Sequence, residues 1–257
     1  MAATIWRNKI AIPLPQGVQH ELQSLHDQLA DQSNPWSTSI GHIIPRDAQF
    51  TSLGDACGAG GGAYCHNLRF WFDILWSDET KRQFDAGKIH INILEFIVVI
   101  LQLAAAITRA EEDATQFAIQ PLSKILIRTD NSPSQNWAHK VSSKSERGQL
   151  FVSIYADLLE RTQLTVACNH IAGEDNDLAD FLSRPIANTN SHVDRCAQIF
   201  RKEPRLEMYH FFRPTAEFLS CLHSRLFITQ WQASPPLPSK LGHFVTDAST
   251  TSCFLTI

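Results

Sequence analysis

Four acidic side chains stand at positions from which a single fold can bring them together. Asp55 ends the run "AQFTSLGDA", Glu95 interrupts the apolar run "INILEFIVVILQLAAAI", Asp130 ends "KILIRTD", and Asp180 lies in "LADFLSR". Converging carboxylates repel one another unless they bind cations, and their oxygen atoms suit Mg2+. Two such ions about 4 Å apart clamp an in-line phosphoryl displacement, one activating water and the other stabilising the leaving oxygen. The four acids therefore predict metal-dependent phosphoryl chemistry.

Each acid also has an ordinary structural interpretation. Asp55 and Asp130, taken singly, are typical of turns at strand ends, and Asp180 is typical of a solvated helix. Glu95 shares one stripe of its predicted helix with Asn92, Gln102 and Arg109. A salt bridge from Glu95 to Arg109 or to another base is therefore the alternative to a role in catalysis.

The glycines after Asp55 raise a second alternative, a phosphate-binding loop. The stretch "GAGGGAYCHNLRFWFDILW" has no Lys-Ser or Lys-Thr and continues into aromatic residues instead of an amphipathic helix. A nucleotide-binding loop is thus the weakest interpretation. The glycines instead favour a tight turn or a close approach to the backbone, for example by a nucleic acid.

The periodicity around the acids predicts an α/β fold. Alternating or branched apolar runs predict five strands, at 48–56, 60–68, 69–77, 123–131 and 164–172. Helices are predicted at 90–110, 132–141, 147–163 and 173–184. This order indicates a mixed five-stranded sheet flanked by helices. A less regular N-terminal segment with one helix at 17–32 precedes it, and a helical extension with helices at 193–201 and 215–225 follows.

Four sequence blocks in order carry a family resemblance. The stretches "GDACGAGGGAY", "HINILEF", "IRTDNSPSQNWAHK" and "NHIAGEDNDLADFLSR" resemble the blocks D-A-S-x-x-G-x-G, I-N-x-x-E, x-T-D-N and H-I-P-G-x-x-N-x-x-A-D-x-L-S-R. These are the blocks of the ribonuclease H domain of retrotransposon reverse transcriptase polyproteins, of DIRS type (tyrosine recombinase) or LTR-like. The resemblance covers about residues 50–185. It implies a ribonuclease-H-like domain at 49–186, a connection-like segment at 1–48 and a spacer-like extension at 187–257.

The resemblance assigns roles by position. It implies that the catalytic and metal-binding residues are Asp55, Glu95, Asp130 and Asp180, holding two Mg2+ ions, with Mn2+ as the alternative. Contacts to the substrate are implied for Asn92 and Asn131. His170 is interpreted as structural. The sequence departs from the family at Cys57, where the family has serine, and at Ala172, where the family has proline. Neither departure falls at one of the four acids.

Composition limits the partners. The formal net charge of -4 and pI of about 6.2 do not favour a stand-alone nucleic-acid binder, which usually has a basic excess. Residues 121–150 are locally basic, however. They are interpreted either as a contact to a phosphate backbone, with Lys140 and Lys144 binding the substrate, or as an ordinary solvated basic face of a helix. The six cysteines form no C-x-x-C pair, which favours free thiols. The apolar run 91–107 is interrupted by polar residues, which predicts a buried helix and no membrane.

The expected function is therefore a metal-dependent endonuclease that hydrolyses the RNA strand of RNA/DNA hybrids, with a reverse transcriptase polymerase domain as a further partner. The alternative is an inactive or domesticated module of the same fold that binds nucleic acid or protein. The first fifteen residues lack the apolar run of a secretory signal, so a cytoplasmic or nuclear protein is expected.

Overall fold

The computed structural model describes residues 47–186, 192–227 and 236–246, together with Gln19, Leu22, Gln23 and His26. The chain forms two compact units, Met1–Ser39 with Ile228–Pro235, and Ile40–Phe227 with Pro236–Ile257. In the first unit the four described residues are helical and exposed, within the helix predicted at 17–32. The remainder of the predicted connection-like segment up to residue 46 lies outside the described residues.

The second unit contains one mixed sheet of seven described strands. They are β1 (Phe50–Ala56), β2 (Gly60–Cys65), β3 (Phe70–Leu75), β4 (Lys124–Thr129), β5 (Thr165–His170), β6 (His210–Pro214) and β7 (Gly242–Val245). Their order across the sheet is β5-β4-β1-β2-β3-β6-β7. β1, β2 and β3 form an antiparallel meander, and β4 and β5 lie parallel to β1 on its other side. The α/β class and the mixed sheet flanked by helices are as predicted.

Seven α-helices of the second unit are described. They are α1 (Asp78–Asp85), α2 (Ile91–Asp113), α3 (Ser132–Lys140), α4 (Glu146–Arg161), α5 (Asp177–Ser183), α6 (His192–Lys202) and α7 (Ala216–Phe227). α1 was not predicted. Its signal is local, because the Ser77 side chain accepts a hydrogen bond from the amide of Thr80 and two acids follow in the first turn.

The long helix α2 is the centre of the core. Every residue from Ile93 to Arg109 is buried, so the helix is apolar nearly all round. By length and composition it is the one described helix that is able to cross a membrane, yet it is mostly buried within the fold. It is a core helix, as predicted.

The C-terminal extension corrects the predicted architecture. It was predicted to be helical, and it does contain α6 and α7, but it also adds β6 and β7 to a sheet that was predicted to have five strands. β6 pairs with β3 in parallel through Phe70–His210 and Trp71–Phe211, and the rings of Trp71 and Phe211 meet edge to face with centroids 4.8 Å apart. The physical reason is that β3 is an apolar strand whose outer edge would otherwise present unpaired backbone groups.

The glycines of β1 and β2 allow helices to pack closely on both faces of the sheet. A Cβ at Gly54 or Gly61 would lie within 2.9 Å of Val98 in α2, whereas a Cβ at Gly62 would lie 2.4 Å from the Cβ of Leu182 in α5. Because successive residues of a strand point to opposite faces, α2 and α5 lie on opposite faces of the sheet. The glycines after Asp55 were expected to let a nucleic acid approach the backbone. For Gly61 and Gly62 that expectation is wrong, because β2 is buried throughout and helices occupy the space.

Gly62→Ala tests this close packing. The added methyl group would overlap Leu182, including its carbonyl carbon at 2.7 Å, so α5 would have to move away from the sheet. We expect the free energy of unfolding to fall by about 1–3 kcal/mol, as for other overpacked sites, in urea titrations followed by circular dichroism.

Gly173→Ala is the matched control, since its nearest neighbour would be 3.4 Å away. A change below about 1 kcal/mol is expected there, the usual scale for replacing glycine by alanine. A Gly62→Ala variant as stable as the wild type would contradict close packing of α5.

Candidate metal centre

Three of the four predicted acids meet at one edge of the sheet. One carboxylate oxygen each from Asp55, Glu95 and Asp130 lies within 4.8 Å of the others. β1 and β4 are adjacent and parallel, with Leu53 opposite Arg128. Two further residues along each strand lead to Asp55 and Asp130, which is why the two side chains meet.

Glu95 reaches this edge from the second turn of α2. It is only 4 % exposed. The amide of Ala56 donates a hydrogen bond to its carboxyl group, and the hydroxyl of Thr129 donates a weak one over 3.4 Å. No cation among the described residues pairs with Glu95. The alternative of a salt bridge to Arg109 is wrong, because Arg109 pairs with Asp113 and stacks on the ring of Phe244.

Burial and crowding shift the protonation of all three acids. Burial raises the pKa of Glu95 to about 9, and the neighbouring charges of Asp55 and Asp130 add to the rise. Burial also raises the pKa of Asp55 to about 6, against the hydrogen bond from Ser183. The pKa of Asp130 is raised by burial as well. At neutral pH the cluster without a cation therefore keeps a proton on Glu95.

The cluster fits a hard divalent cation. All three ligands are carboxylates, the type preferred by Mg2+ and Ca2+. Bonds of about 2.1 Å to Mg2+ set adjacent ligand atoms about 3.0 Å apart and opposite ones about 4.2 Å apart, and the three oxygens lie no more than 4.8 Å from one another. A cation would replace the proton on Glu95, and its affinity should rise with pH. The three acids could hold a metal ion, whose identity the geometry leaves open.

Asp180 lies beside this cluster without joining it. Its charge contributes to the raised pKa of Asp55 and Asp130, so it is within electrostatic reach. Its carboxylate, however, accepts hydrogen bonds from the guanidinium of Arg184 at 2.5–2.9 Å. Three of the predicted ligands thus lie together, whereas the fourth, Asp180, forms an ion pair with Arg184.

Three side chains that hold these acids were not predicted from the sequence. Ser183 donates a 2.6 Å hydrogen bond to Asp55, Thr129 contacts Glu95, and Arg184 contacts Asp180. Each is next to or near an acid in the chain, in "RTD" and "ADFLSR". That adjacency was the available signal, but it does not tell which side chain turns inward.

The predicted substrate contacts fall into two groups. The side-chain amide of Asn131 donates a 3.1 Å hydrogen bond to the side-chain oxygen of Asn92. The side-chain oxygen of Asn131 caps α3 by accepting a hydrogen bond from the backbone N–H of Ser134. Both asparagines are thus engaged in joining α2 to α3. Lys140 and Lys144 are exposed. His170 contacts the main-chain carbonyl of Asp130 at 3.0 Å, consistent with the structural role predicted for it.

No protein-family model and no curated protein matches this chain. Any functional assignment therefore rests on the chemistry of the site.

Glu95→Gln tests the buried acid. The folded protein retains the Glu95 proton up to about pH 9, while the unfolded chain loses it near 4.5. The stability of the metal-free wild type should therefore fall as pH rises between these values. We expect the Tm of Glu95→Gln to depend less on pH than that of the wild type. At pH 8 in EDTA its Tm should exceed that of the wild type by about 2–4 °C for each kcal/mol of stability gained. Thermal unfolding from pH 5 to 9 measures both quantities.

Glu111→Gln, at an exposed position of the same helix, is the control and should keep the wild-type pH dependence. Addition of Mg2+ or Mn2+ at pH 8 should raise the Tm of the wild type and of the control, but not that of Glu95→Gln. Equal pH dependence in all three proteins would contradict a buried, protonated Glu95.

Proposed function

We propose that the protein is a metal-dependent endonuclease that hydrolyses the RNA strand of RNA/DNA hybrids. The observation that carries the proposal is the meeting of Asp55, Glu95 and Asp130 within 4.8 Å. Those are three of the four acids on which the resemblance to retrotransposon ribonuclease H domains depends. We assign a ribonuclease-H-like fold to β1 through β5 with α2 to α5, and we regard β6 and β7 as an addition to it.

The residues of the chain orient the acids for this chemistry. Divalent ions would supply activation of the attacking water and stabilisation of the leaving oxygen, held by Asp55, Glu95 and Asp130. Thr129 and the Ala56 amide fix Glu95, and Ser183 fixes Asp55. Asp180 would complete the site once its carboxylate parts from Arg184.

The substrate would lie along α3 and the loop after it. α3 begins two residues after Asp130, and its N-terminus favours a phosphate group. Lys140 ends α3, about 14 Å further along the helix axis, and Lys144 follows in the exposed loop. Both lysines lie on the same side of the acids, where they would neutralise phosphates of the substrate at a distance from the cleaved bond.

A binding module without turnover is the second candidate. The ion pair between Asp180 and Arg184 favours it, because that pair removes one predicted ligand from the cluster. Retention of a hybrid without cleavage in Mg2+ or Mn2+ would support this alternative.

Asp130→Asn tests the proposed nuclease. Loss of one carboxylate should weaken the hold on the cation, whose charge is worth several kcal/mol to the transition state. We expect cleavage of a labelled RNA/DNA hybrid by the purified protein to fall about 100-fold or more. EDTA should abolish cleavage by the wild type.

Asp177→Asn is the matched control, an exposed acid one turn before Asp180 on α5. It should cleave as the wild type does. Unchanged cleavage by Asp130→Asn would overturn the assignment.

Lys140→Gln with Lys144→Gln tests the substrate path. Each lost phosphate contact should lower the slope of log affinity against log salt by about 1. The affinity for the hybrid is measured in Ca2+ between 50 and 200 mM salt by fluorescence anisotropy.

The control is Lys240→Gln. Lys240 is exposed. It adjoins Ser239, whose carbonyl accepts a hydrogen bond from Arg161 at the end of α4. Lys144 lies just before the start of α4, and the helix between the two ends is about 24 Å long. An equal decrease of the salt slope in Lys240→Gln and in the Lys140→Gln/Lys144→Gln variant would argue against a substrate path along α3.

A further inference from the structure

We propose that Arg195, in the extension after the predicted nuclease domain, is a positioning residue for α5 and, through α5, for Asp55 and Asp180. The inference deepens the proposed function and rests on it. It assigns part of the nuclease site to a segment outside the four sequence blocks.

Arg195 is buried, with 3 % of its surface exposed, and its guanidinium makes three contacts. It forms an ion pair with Asp73 of β3, which is 4 % exposed. It also donates 3.0 Å hydrogen bonds to the main-chain carbonyls of Leu182 and Arg184. The two carbonyls flank Ser183, the residue whose hydroxyl holds Asp55.

These contacts meet a specific need of α5. The helix has only seven residues, and the last carbonyls of a helix have no partner within it. The guanidinium of Arg195 satisfies the carbonyl of Leu182 within the helix and that of Arg184 just after it, and its positive charge suits the negative end of the helix. At the other end of α5, the buried side-chain amide of Asn176 donates a 3.1 Å hydrogen bond to the main-chain carbonyl of Gly54. α5 is thus fixed to the sheet at both ends.

The sheet register explains why the two ends of this chain of contacts are coupled. Asp55, Gly62 and Asp73 are direct neighbours across β1, β2 and β3, so all three face α5. Leu182 packs on the glycine in the middle of this row. Ser183 binds the acid on one side of the row, and Arg195 joins α5 to the acid on the other side.

The consequence concerns geometry at the cluster. Without Arg195, the end of α5 keeps the hydrogen bond from the Cys57 thiol to the carbonyl of Ser183 but loses its anchor to β3. A shift of Ser183 would release Asp55, and a shift of the turn before it would move Asp180. Residues that orient metal ligands from behind commonly change metal affinity 10–100-fold when they are replaced.

The test uses the full chain with the double variant Asp73→Leu/Arg195→Met. Both charges are removed together, because a single replacement would leave an unpaired buried charge, whereas apolar residues often replace a buried ion pair without loss of stability. Mn2+ affinity is measured by electron paramagnetic resonance, and kcat and KM are measured on a labelled hybrid. We expect a cooperative melt, Mn2+ affinity reduced about tenfold, and a lower kcat with KM unchanged.

Arg225→Met is the matched control. Arg225 is a second buried arginine of the extension, 2 % exposed, and it donates to the carbonyl of Leu150 in α4, away from the cluster. It should alter Tm without changing Mn2+ affinity. Should the double variant lose its cooperative melt, Arg195→Lys takes its place, since lysine keeps the charge near Asp73 but cannot reach both carbonyls.

The outcomes separate the inference from the proposed function. A wild type that binds Mn2+ but does not cleave, with weaker Mn2+ binding in the double variant, would overturn the nuclease and support the positioning role. A double variant with wild-type Mn2+ affinity and kcat would overturn the positioning role and leave the nuclease standing. A wild type that binds no Mn2+ would overturn both.

Discussion

Repulsion among desolvated carboxylates at one sheet edge is the constraint on which the rest of the structure depends. Asp55 and Glu95 are almost fully buried and lie within 4.8 Å of each other and of Asp130. Taking such groups out of water disfavours their charged forms, and each charge makes the next harder to form. The fold tolerates this arrangement because a proton or a cation supplies the missing positive charge. A site arranged in this way is expected to have a function, since stability alone would favour apolar residues there.

Glycines in β1 and β2, the strands beneath the site, are what allows the acids to converge. Gly54 and Gly61 admit α2 on one face, and Gly62 admits α5 on the other. The two helices deliver Glu95 and Asp180 to the same edge from opposite faces. The glycine-rich stretch therefore serves the aspartate that precedes it indirectly, by letting its partners approach the sheet. A strand with ordinary side chains would hold both helices further away.

The sequence predicted what is local and periodic. The acids, the five strands β1 to β5 and the four helices around them follow from hydrophobic period and turn residues, and three of the acids do meet. What could not be predicted depends on contacts between distant residues. β6 joins β3 across some 140 residues of chain, and neither its apolar run nor the edge it fills identifies the other. Arg195 and Asp73 likewise look like ordinary surface charges in the sequence, because burial of an ion pair has no local signature. Arg184, four residues from Asp180, was visible, but its choice of partner was not.

The row Asp55–Gly62–Asp73 has a consequence for how such a domain is inherited. A gene rearrangement that carried only residues 49–186 would transfer all four acids, yet it would leave Asp73 in the sheet without its cation and β3 without β6. Either loss disfavours the transferred fragment on its own. Selection should therefore keep the later segment linked to the acids, and across diverged copies the identities of residues 73 and 195 should change together more often than either changes alone.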